Sequence, residues 1–269
     1  MAIKIAIANQ KGGVGKTTTA INIADALKHL NYKVLLLDLD PQHNSTATFG
    51  AEIEGVNTIV DVLKKDCSAK EAIQHTPLGD IIAGDGLLAQ EENYFNSQKA
   101  RETLLKRAIK ELDNEYNYII MDTPPNLGIY MTNALTAADG CVIPIKAEQY
   151  AISGLGLLIE TINEITEVLN ADLKIYGVSI NVYDQRNRLD RDTLEALPKA
   201  GKERGFNVFK TPIRVSQEIK KVQSMPNKLD ENGKTIVPNR SLYQNYPTSN
   251  GAIDYVNFIK ELQEVVKNG

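Results

Sequence analysis

The stretch Asn9-Gln-Lys-Gly-Gly-Val-Gly-Lys-Thr-Thr18 decides the fold, because it joins an apolar run to a helical pattern through three closely spaced glycines. Such glycines allow successive backbone amides to turn towards an anion. Lys16 would then add a positive charge near the β- and γ-phosphates, and the Thr17 hydroxyl would reach a magnesium ion. The stretch therefore predicts a phosphate-binding loop.

The patterns on both sides of this loop agree with that interpretation. The apolar run Ala2–Asn9 predicts a buried strand, and from Lys16 apolar residues recur at helical spacing until Asn31. A helix that begins at Lys16 directs its positive end at the same phosphates. The alternative is a chance glycine and lysine loop, which this agreement of contexts disfavours.

The loop departs from the usual G-x-x-x-x-G-K-[ST] pattern by carrying a second lysine, Lys11. Two ammonium groups at the same phosphates would repel each other. We therefore predict that Lys11 reaches a nucleotide bound by a partner subunit.

This K-G-G-x-G-K-[ST] loop resembles that of the deviant Walker A ATPases of the ParA/MinD group. The resemblance implies a P-loop NTPase of the α/β class, with a mostly parallel twisted sheet flanked by helices on both faces. It also implies a single ATPase domain over residues 1–269, ATP and Mg²⁺ as cofactors, and a homodimer that sandwiches two ATP molecules.

Carboxylates follow two further apolar runs that read as parallel strands, Val34–Asp38 and Tyr118–Asp122. Open α/β sheets bind ligands at such strand ends. Within the resemblance Asp40 orients or activates the attacking water, Asp38 lies near the magnesium shell, and Asp122 is the Walker B carboxylate. The predicted metal residues are thus Thr17, Asp38 and Asp122. Strand-end caps remain the alternative for Asp38 and Asp40.

Two later strands complete the predicted site. Asn181 ends the run Ile175–Asn181, and the resemblance implies that its amide reads the adenine edge, although it could instead form a turn. Pro212, in the predicted strand Val208–Arg214, would wall the base. The predicted catalytic residues are Lys11, Lys16 and Asp40. The predicted nucleotide contacts are Lys11, Gly12, Gly13, Val14, Gly15, Lys16, Thr17, Thr18, Asn181 and Pro212.

The remaining elements read as scaffold or interface. We expect a helix at Thr58–Lys65, a strand at Asp80–Ala83, an amphipathic helix at Arg101–Leu112 and a strand at Asp139–Ile145. The segment that begins at Glu148 resembles the family's dimer face, where this carboxylate could contact nucleotide or partner. Its alternative is a helix-start carboxylate stabilised by the helix dipole.

The net charge of −4 requires any DNA contact to come from a local basic patch. By position in the family, Arg214, Lys220 and Lys221 are the candidates, although the fuller family pattern is absent and a solvated helix face is the alternative. Residues 223–250 predict a mobile, solvated surface excursion with a hairpin turn at Asn232-Gly233. Its basic residues form a second candidate patch: Lys228, Lys234 and Arg240.

Composition excludes several function classes. No apolar run approaches the roughly 20 residues that span a bilayer, and the start shows no signal peptide, so we expect a cytoplasmic protein. Cys67 and Cys141 stand apart, and the histidines lack metal-ligand spacing, which predicts free thiols and no zinc or iron-sulfur centre.

Taken together, the motifs are similar to those of ParA/Soj-type partition ATPases. The resemblance implies ATP binding, dimerisation, non-specific binding to double-stranded DNA on the nucleoid, and hydrolysis stimulated by a ParB-type centromere-binding protein, with no membrane contact. A MinD-like regulator or another cargo-positioning ATPase is the alternative, disfavoured by the lack of a terminal membrane anchor. A metabolic relative such as an iron-sulfur reductase would need cysteines shared across a dimer, and Cys67 and Cys141 lack that setting. An inactive scaffold would require damaged nucleotide-binding motifs, and these motifs are intact.

Overall fold

The computed structural model describes residues 1–148, 151–231 and 235–268, with the backbone alone for 151–153. Its strands are β1 (Ile3–Ile7), β2 (Val34–Asp38), β3 (Ile73–His75), β4 (Asp80–Ile82), β5 (Tyr118–Asp122), β6 (Gly140–Lys146), β7 (Lys174–Asn181), β8 (Lys228–Leu229) and β9 (Thr235–Ile236). Its helices are α1 (Lys16–His29), α2 (Asn44–Phe49), α3 (Ile59–Lys64), α4 (Leu87–Ser97), α5 (Leu104–Ala108), α6 (Ile129–Ala137), α7 (Ala151–Val168), α8 (Arg188–Arg204), α9 (Gln217–Gln223), α10 (Leu242–Asn245) and α11 (Asn250–Asn268).

Strands β1 to β7 form one sheet in the order β3-β4-β2-β5-β1-β6-β7, and β8 pairs with β9 in a separate two-stranded antiparallel sheet. All neighbours in the large sheet are parallel except β3 and β4. One buried cluster packs α3, α5, α6 and α7 on one face, while a second packs α1, α10 and α11 on the other. This arrangement confirms the predicted mostly parallel α/β sheet with helices on both faces.

The register of the central strands places the site. β2 and β5 are short apolar runs that end in aspartate, and they are buried on both faces as parallel strands usually are. Asp38 pairs in register with Asp122, so the two carboxylates lie on adjacent strands at the carboxyl edge of the sheet. β1 pairs with β5 on its other side, which brings the phosphate loop to the same edge.

The predicted helix at Arg101–Leu112 is wrong as a single element. Only Leu104–Ala108 is α-helical, and a 3₁₀ turn flanks it on each side. The Asn133 side chain accepts a hydrogen bond from the Leu105 amide and donates to the Arg101 carbonyl, so it occupies backbone groups that a longer helix would use. The apolar side of this stretch still packs on the sheet: Leu104, Leu105, Ile109 and Leu112 are buried, and Ala108 is partly buried against them.

The predicted strand at Val208–Arg214 is also wrong. Two isolated bridges join this stretch to the chain at and just beyond β7, at Val208 and Arg214. Between them the carboxylate of Glu261 accepts hydrogen bonds from the amides of Lys210 and Thr211, and Pro212 has no amide to donate. A continuous ladder is therefore impossible here.

The excursion predicted at 223–250 is only partly solvated. Leu242 is fully buried and Arg240 and Tyr243 are each 6% exposed, so this part packs on the body of the protein. Strands β8 and β9 are exposed. The turn predicted at Asn232-Gly233, and Lys234, lie outside the described residues. Among the helices that the structure describes, none combines the length and apolar character needed to cross a membrane.

Candidate nucleotide and metal site

The phosphate loop has the backbone that its glycines were predicted to allow. Gly13 and Gly15 have φ angles of 73° and 90°, which a side chain would strain. A Cβ atom on Gly15 would also lie 3.1 Å from the Asn181 amide nitrogen. Glycine is required there both for the turn and for the approach of β7.

Lys16 lies inside the loop and is 7% exposed. Its ammonium donates to the Lys11 carbonyl over 3.0 Å. Burial lowers the pKa of Lys16, while the charges of Asp122 and Asp40 oppose that shift. The ammonium is thus fixed by the loop backbone in the negative field of two carboxylates, where it can meet an anionic ligand.

Lys11 extends away from the loop and is ion-paired with Glu148 of the same chain. Its amide is fixed by the Asn9 side chain, with an N to Oδ1 distance of 2.9 Å. Lys11 and Glu148 are 52% and 38% exposed at the side chain, so either group can change partner at little cost. The role of Lys11 across a dimer interface stays a prediction.

The carboxylates predicted to serve metal and water lie together. Asp38 and Asp122 are fully buried and Asp40 is 8% exposed. Burial raises the pKa of both Asp38 and Asp122, and the negative charge of Asp38 raises that of Asp122 further. A proton can neutralise such a pair in the empty protein, and a bound cation would do the same.

Asp122 fits a magnesium ligand. Its Oδ2 accepts from Ser45 over 2.7 Å, whereas its buried Oδ1 has no partner in the described protein. The described residues contain no cluster of three His, Cys, Asp or Glu ligands. Mg²⁺ commonly uses one or two carboxylates together with water and substrate phosphates, so the donor set suits it.

Two hydroxyl residues of α2 belong to the site although the sequence did not single them out. Thr46 donates to Asp38 Oδ2 from both its amide and its hydroxyl, each over 2.8 Å, and Ser45 donates to Asp122 as above. A signal for them exists, because Ser45-Thr46 begins five residues after Asp40, but it is the pattern of any polar helix start. Helix α2 therefore orients both buried carboxylates.

Asn181 lies beneath the loop rather than at its rim. Its amide donates to Thr19 Oγ1 over 2.7 Å and to the Val14 carbonyl over 3.4 Å, and its Oδ1 accepts from Ser179. Asn181 also borders a cavity of about 110 Å³, which Ile213 and Arg214 line and Pro212 does not. Base reading by Asn181 and a wall formed by Pro212 stay predictions.

The three predicted DNA-binding residues differ in their surroundings. Arg214 forms a bidentate ion pair with Asp254, which is 6% exposed at the side chain, at distances of 2.6 to 3.1 Å. Lys220 and Lys221 lie on the exposed face of α9, and the Lys221 ammonium is 5.9 Å from the ring centre of Tyr246. The charge of Arg214 is thus compensated within the chain.

Comparisons with known proteins agree with this geometry. A family model described as AAA domain matches residues 2–175. The chain is 38% identical over 261 residues to the sporulation initiation inhibitor protein Soj of Bacillus subtilis, covering 96% of this chain and 97% of Soj. It is 35% identical over 270 residues to the chromosome-partitioning ATPase Soj of Thermus thermophilus, covering 98% and 96%.

Solved structures show the same fold. Cobyrinic acid a,c-diamide synthase of Mycobacterium smegmatis with bound ADP and magnesium has a TM-score of 0.82 and 31% identity, covering 100% of this chain and 97% of that one. A putative plasmid partition protein of Borrelia burgdorferi bound to AMPPNP has a TM-score of 0.72 and 28% identity, covering 100% and 99%. With its intact loop and full-length likeness to Soj, the chain belongs to the ParA/Soj family of P-loop partition ATPases.

Proposed function

We propose that the protein is a DNA partition ATPase that converts ATP and water to ADP and phosphate with Mg²⁺. The observation that carries the proposal is the placement of Lys16, which is buried in the loop, donates its ammonium to the Lys11 carbonyl, and is subject to the charges of Asp122 and Asp40. Its fixed charge would stabilise the transferring phosphoryl group, as positioned cations do in phosphoryl transfer.

Each side chain has a role in this proposal. The loop amides and Lys16 hold the phosphates, Asp40 orients the attacking water, and Thr17, Asp38 and Asp122 hold Mg²⁺ directly or through water. When bound, the metal neutralises charge on the β- and γ-phosphates. The unpartnered Oδ1 of Asp122 supports this assignment.

ATP would also act as an assembly switch. We propose that Lys11 leaves Glu148 and contacts the nucleotide of a second copy, forming an ATP-dependent homodimer. That dimer would bind double-stranded DNA without sequence preference and associate with the cytoplasmic nucleoid. A ParB-type protein would stimulate hydrolysis and so reset the cycle. The name of the T. thermophilus relative, chromosome-partitioning ATPase Soj, supports the partition role.

One experiment tests the function directly. Binding to a fluorescent DNA duplex and phosphate release are measured without nucleotide, with ADP and with ATP, all with Mg²⁺. We expect tight duplex binding with ATP alone, together with slow hydrolysis. ATP-dependent binding to anionic liposomes without DNA binding would overturn the proposal in favour of a MinD-like regulator. ATP hydrolysis that requires a small-molecule carboxylic acid as the substrate of amide formation would favour a synthase like the M. smegmatis neighbour.

A further inference from the structure

Arg240 is a buried cation whose described partners are all uncharged. It is 6% exposed, and its guanidinium donates to the Met225 carbonyl and to Asn227 Oδ1, at distances between 2.7 and 3.1 Å. It also donates to the Thr48 carbonyl over 3.0 Å and to the Ala47 carbonyl over 3.4 Å. Burying a charge without a counterion is unfavourable, so these bonds point to a specific task.

The task concerns α2. Ala47 and Thr48 belong to the last turn of this helix, where the helix dipole is negative, and the Ala47 carbonyl also accepts a hydrogen bond from the Gly50 amide over 3.2 Å. Ser45 and Thr46, which bond to Asp122 and Asp38, lie in the same helix. A helix rises about 1.5 Å per residue, so Arg240 bonds to residues of α2 that lie only about 3 Å along its axis from Ser45 and Thr46.

Helix α2 needs external support to keep its orientation. It has six residues, and helices of that length are unstable alone. The segment that carries Arg240 is itself anchored, because Asn239 donates to the Pro77 carbonyl over 3.0 Å. Val237 packs so closely on the end of α2 that a Cβ atom on Gly50 would lie 2.2 Å from its Cγ1.

We propose that Arg240 is a positioning residue for the metal side of the site. By holding the carboxyl end of α2, it keeps the hydroxyls of Ser45 and Thr46 bonded to Asp122 and Asp38. The inference rests on the proposed function, since it concerns Mg²⁺ binding with nucleotide. It assigns a role to a segment that the family motifs leave out.

The test compares nucleotide affinity with and without metal. A fluorescent ADP analogue is titrated in Mg²⁺ and in EDTA, and the ratio of the two affinities measures the metal's contribution without turnover. Residues that orient metal ligands commonly change metal affinity about 10- to 100-fold. We expect Arg240→Met to reduce the ratio about tenfold while affinity in EDTA changes little, because Asn181 and α1 support the phosphate loop.

Two further variants separate positioning from general stability. Arg240→Lys keeps a positive charge that can reach some of the carbonyls bound by Arg240. It should therefore recover part of the ratio of nucleotide affinity in Mg²⁺ to that in EDTA. This variant also tests the proposal if Arg240→Met does not fold. Tyr243→Leu is the matched control, because Tyr243 lies in the same segment but stacks on His29, with ring centres 4.5 Å apart, at the far end of α1. It should lower the melting temperature and leave the ratio unchanged.

A double mutant locates the path of the effect. If Arg240 acts through α2, the double variant Ser45→Ala with Arg240→Met should lose less of the affinity ratio than the two single losses combined would give. The proposal would be overturned if the effects of Ser45→Ala and Arg240→Met were additive. It would also be overturned if Tyr243→Leu lowered the affinity ratio as much as Arg240→Met does. A wild-type ratio near one would overturn the proposed metal-dependent function instead. A normal wild-type ratio retained by Arg240→Met would overturn the positioning role alone.

Discussion

The carboxyl edge of β1, β2 and β5 and the chain from 205 to 250 both border the proposed nucleotide site, but different forces build them. The first region is set by parallel backbone ladders that bring Asp38 and Asp122 into register. In the second, charged side chains hold irregular backbone: Glu261 binds two amides and Arg240 binds carbonyls. Residues of the first region should therefore govern chemistry, and those of the second should mainly govern stability and positioning.

The largest effect that would sharpen this comparison is expected at Asp40. Asp40→Ala removes the carboxylate proposed to orient water, and such groups contribute about 10²- to 10⁴-fold to rate. We expect phosphate release to fall by that range while ATP binding persists and the ATP dimer accumulates. Asp172→Ala, an exposed site before β7 at the opposite edge, is the control. Turnover of Asp40→Ala at the wild-type rate would remove Asp40 from the mechanism.

Next in size is the effect of Lys11 on assembly. Lys11→Ala should retain ATP binding but weaken the ATP-dependent dimer more than about tenfold, as removal of an interface charge commonly does. Light scattering over a concentration series measures this. Glu148→Gln should strengthen the dimer a few-fold, because it releases Lys11 from its partner within the chain. Weaker dimerisation of Glu148→Gln would show instead that Glu148 itself contacts nucleotide or partner.

A moderate effect is expected for Lys220 and Lys221. Removing one lysine that binds a DNA phosphate lowers the slope of log affinity against log salt by about 0.9, so the double alanine variant should lower it by up to about twice that value. Lys199→Ala with Lys202→Ala, both exposed on α8, makes the same charge change elsewhere. Arg214→Ala is tested separately, because it strands the buried Asp254 carboxylate and should lower the melting temperature. Equal slope changes in both double variants would move the DNA-binding surface elsewhere.

The smallest effect should come from Glu261→Gln. The amide keeps one acceptor oxygen and loses the charge, so the free energy of unfolding should fall by about 1 kcal/mol. Urea unfolding measures this, and ATPase turnover should stay within about twofold. Glu264→Gln, exposed on the same helix, is the control. If Glu261→Gln impaired turnover more than stability, the proposed contrast between the two regions would fail.

The residues of the site could be predicted from the sequence more completely than the helices and strands around it. The phosphate loop, Asp38 and Asp122 depend on local spacing and on strands that are continuous apolar runs, and both signals are visible in the sequence. Helix α8 escaped prediction, because its sequence is largely polar and contains Pro198. The run Val208–Arg214 has a strand-like composition, and only the distant Glu261 shows why it cannot form a ladder.

Long-range side-chain bonds account for the other misses. Arg240 resembles a solvated cation in the sequence, because nothing near it along the chain shows that the carbonyls of α2, nearly two hundred residues earlier, complete its shell. The split of the Arg101–Leu112 helix likewise depends on Asn133. A bond between residues far apart in sequence leaves no periodic pattern, so reading local spacing cannot detect it.

The adjacent burial of Asp38 and Asp122 has a consequence for folding. Two carboxylates withdrawn from water on neighbouring strands oppose the folded state, and a bound cation with its nucleotide would relieve that opposition. Binding of nucleotide and cation would therefore stabilise the fold, because a ligand that binds only the native state stabilises that state. The carboxylates at the centre of the sheet thus lower the stability of the empty protein, and a bound nucleotide with its cation would raise it.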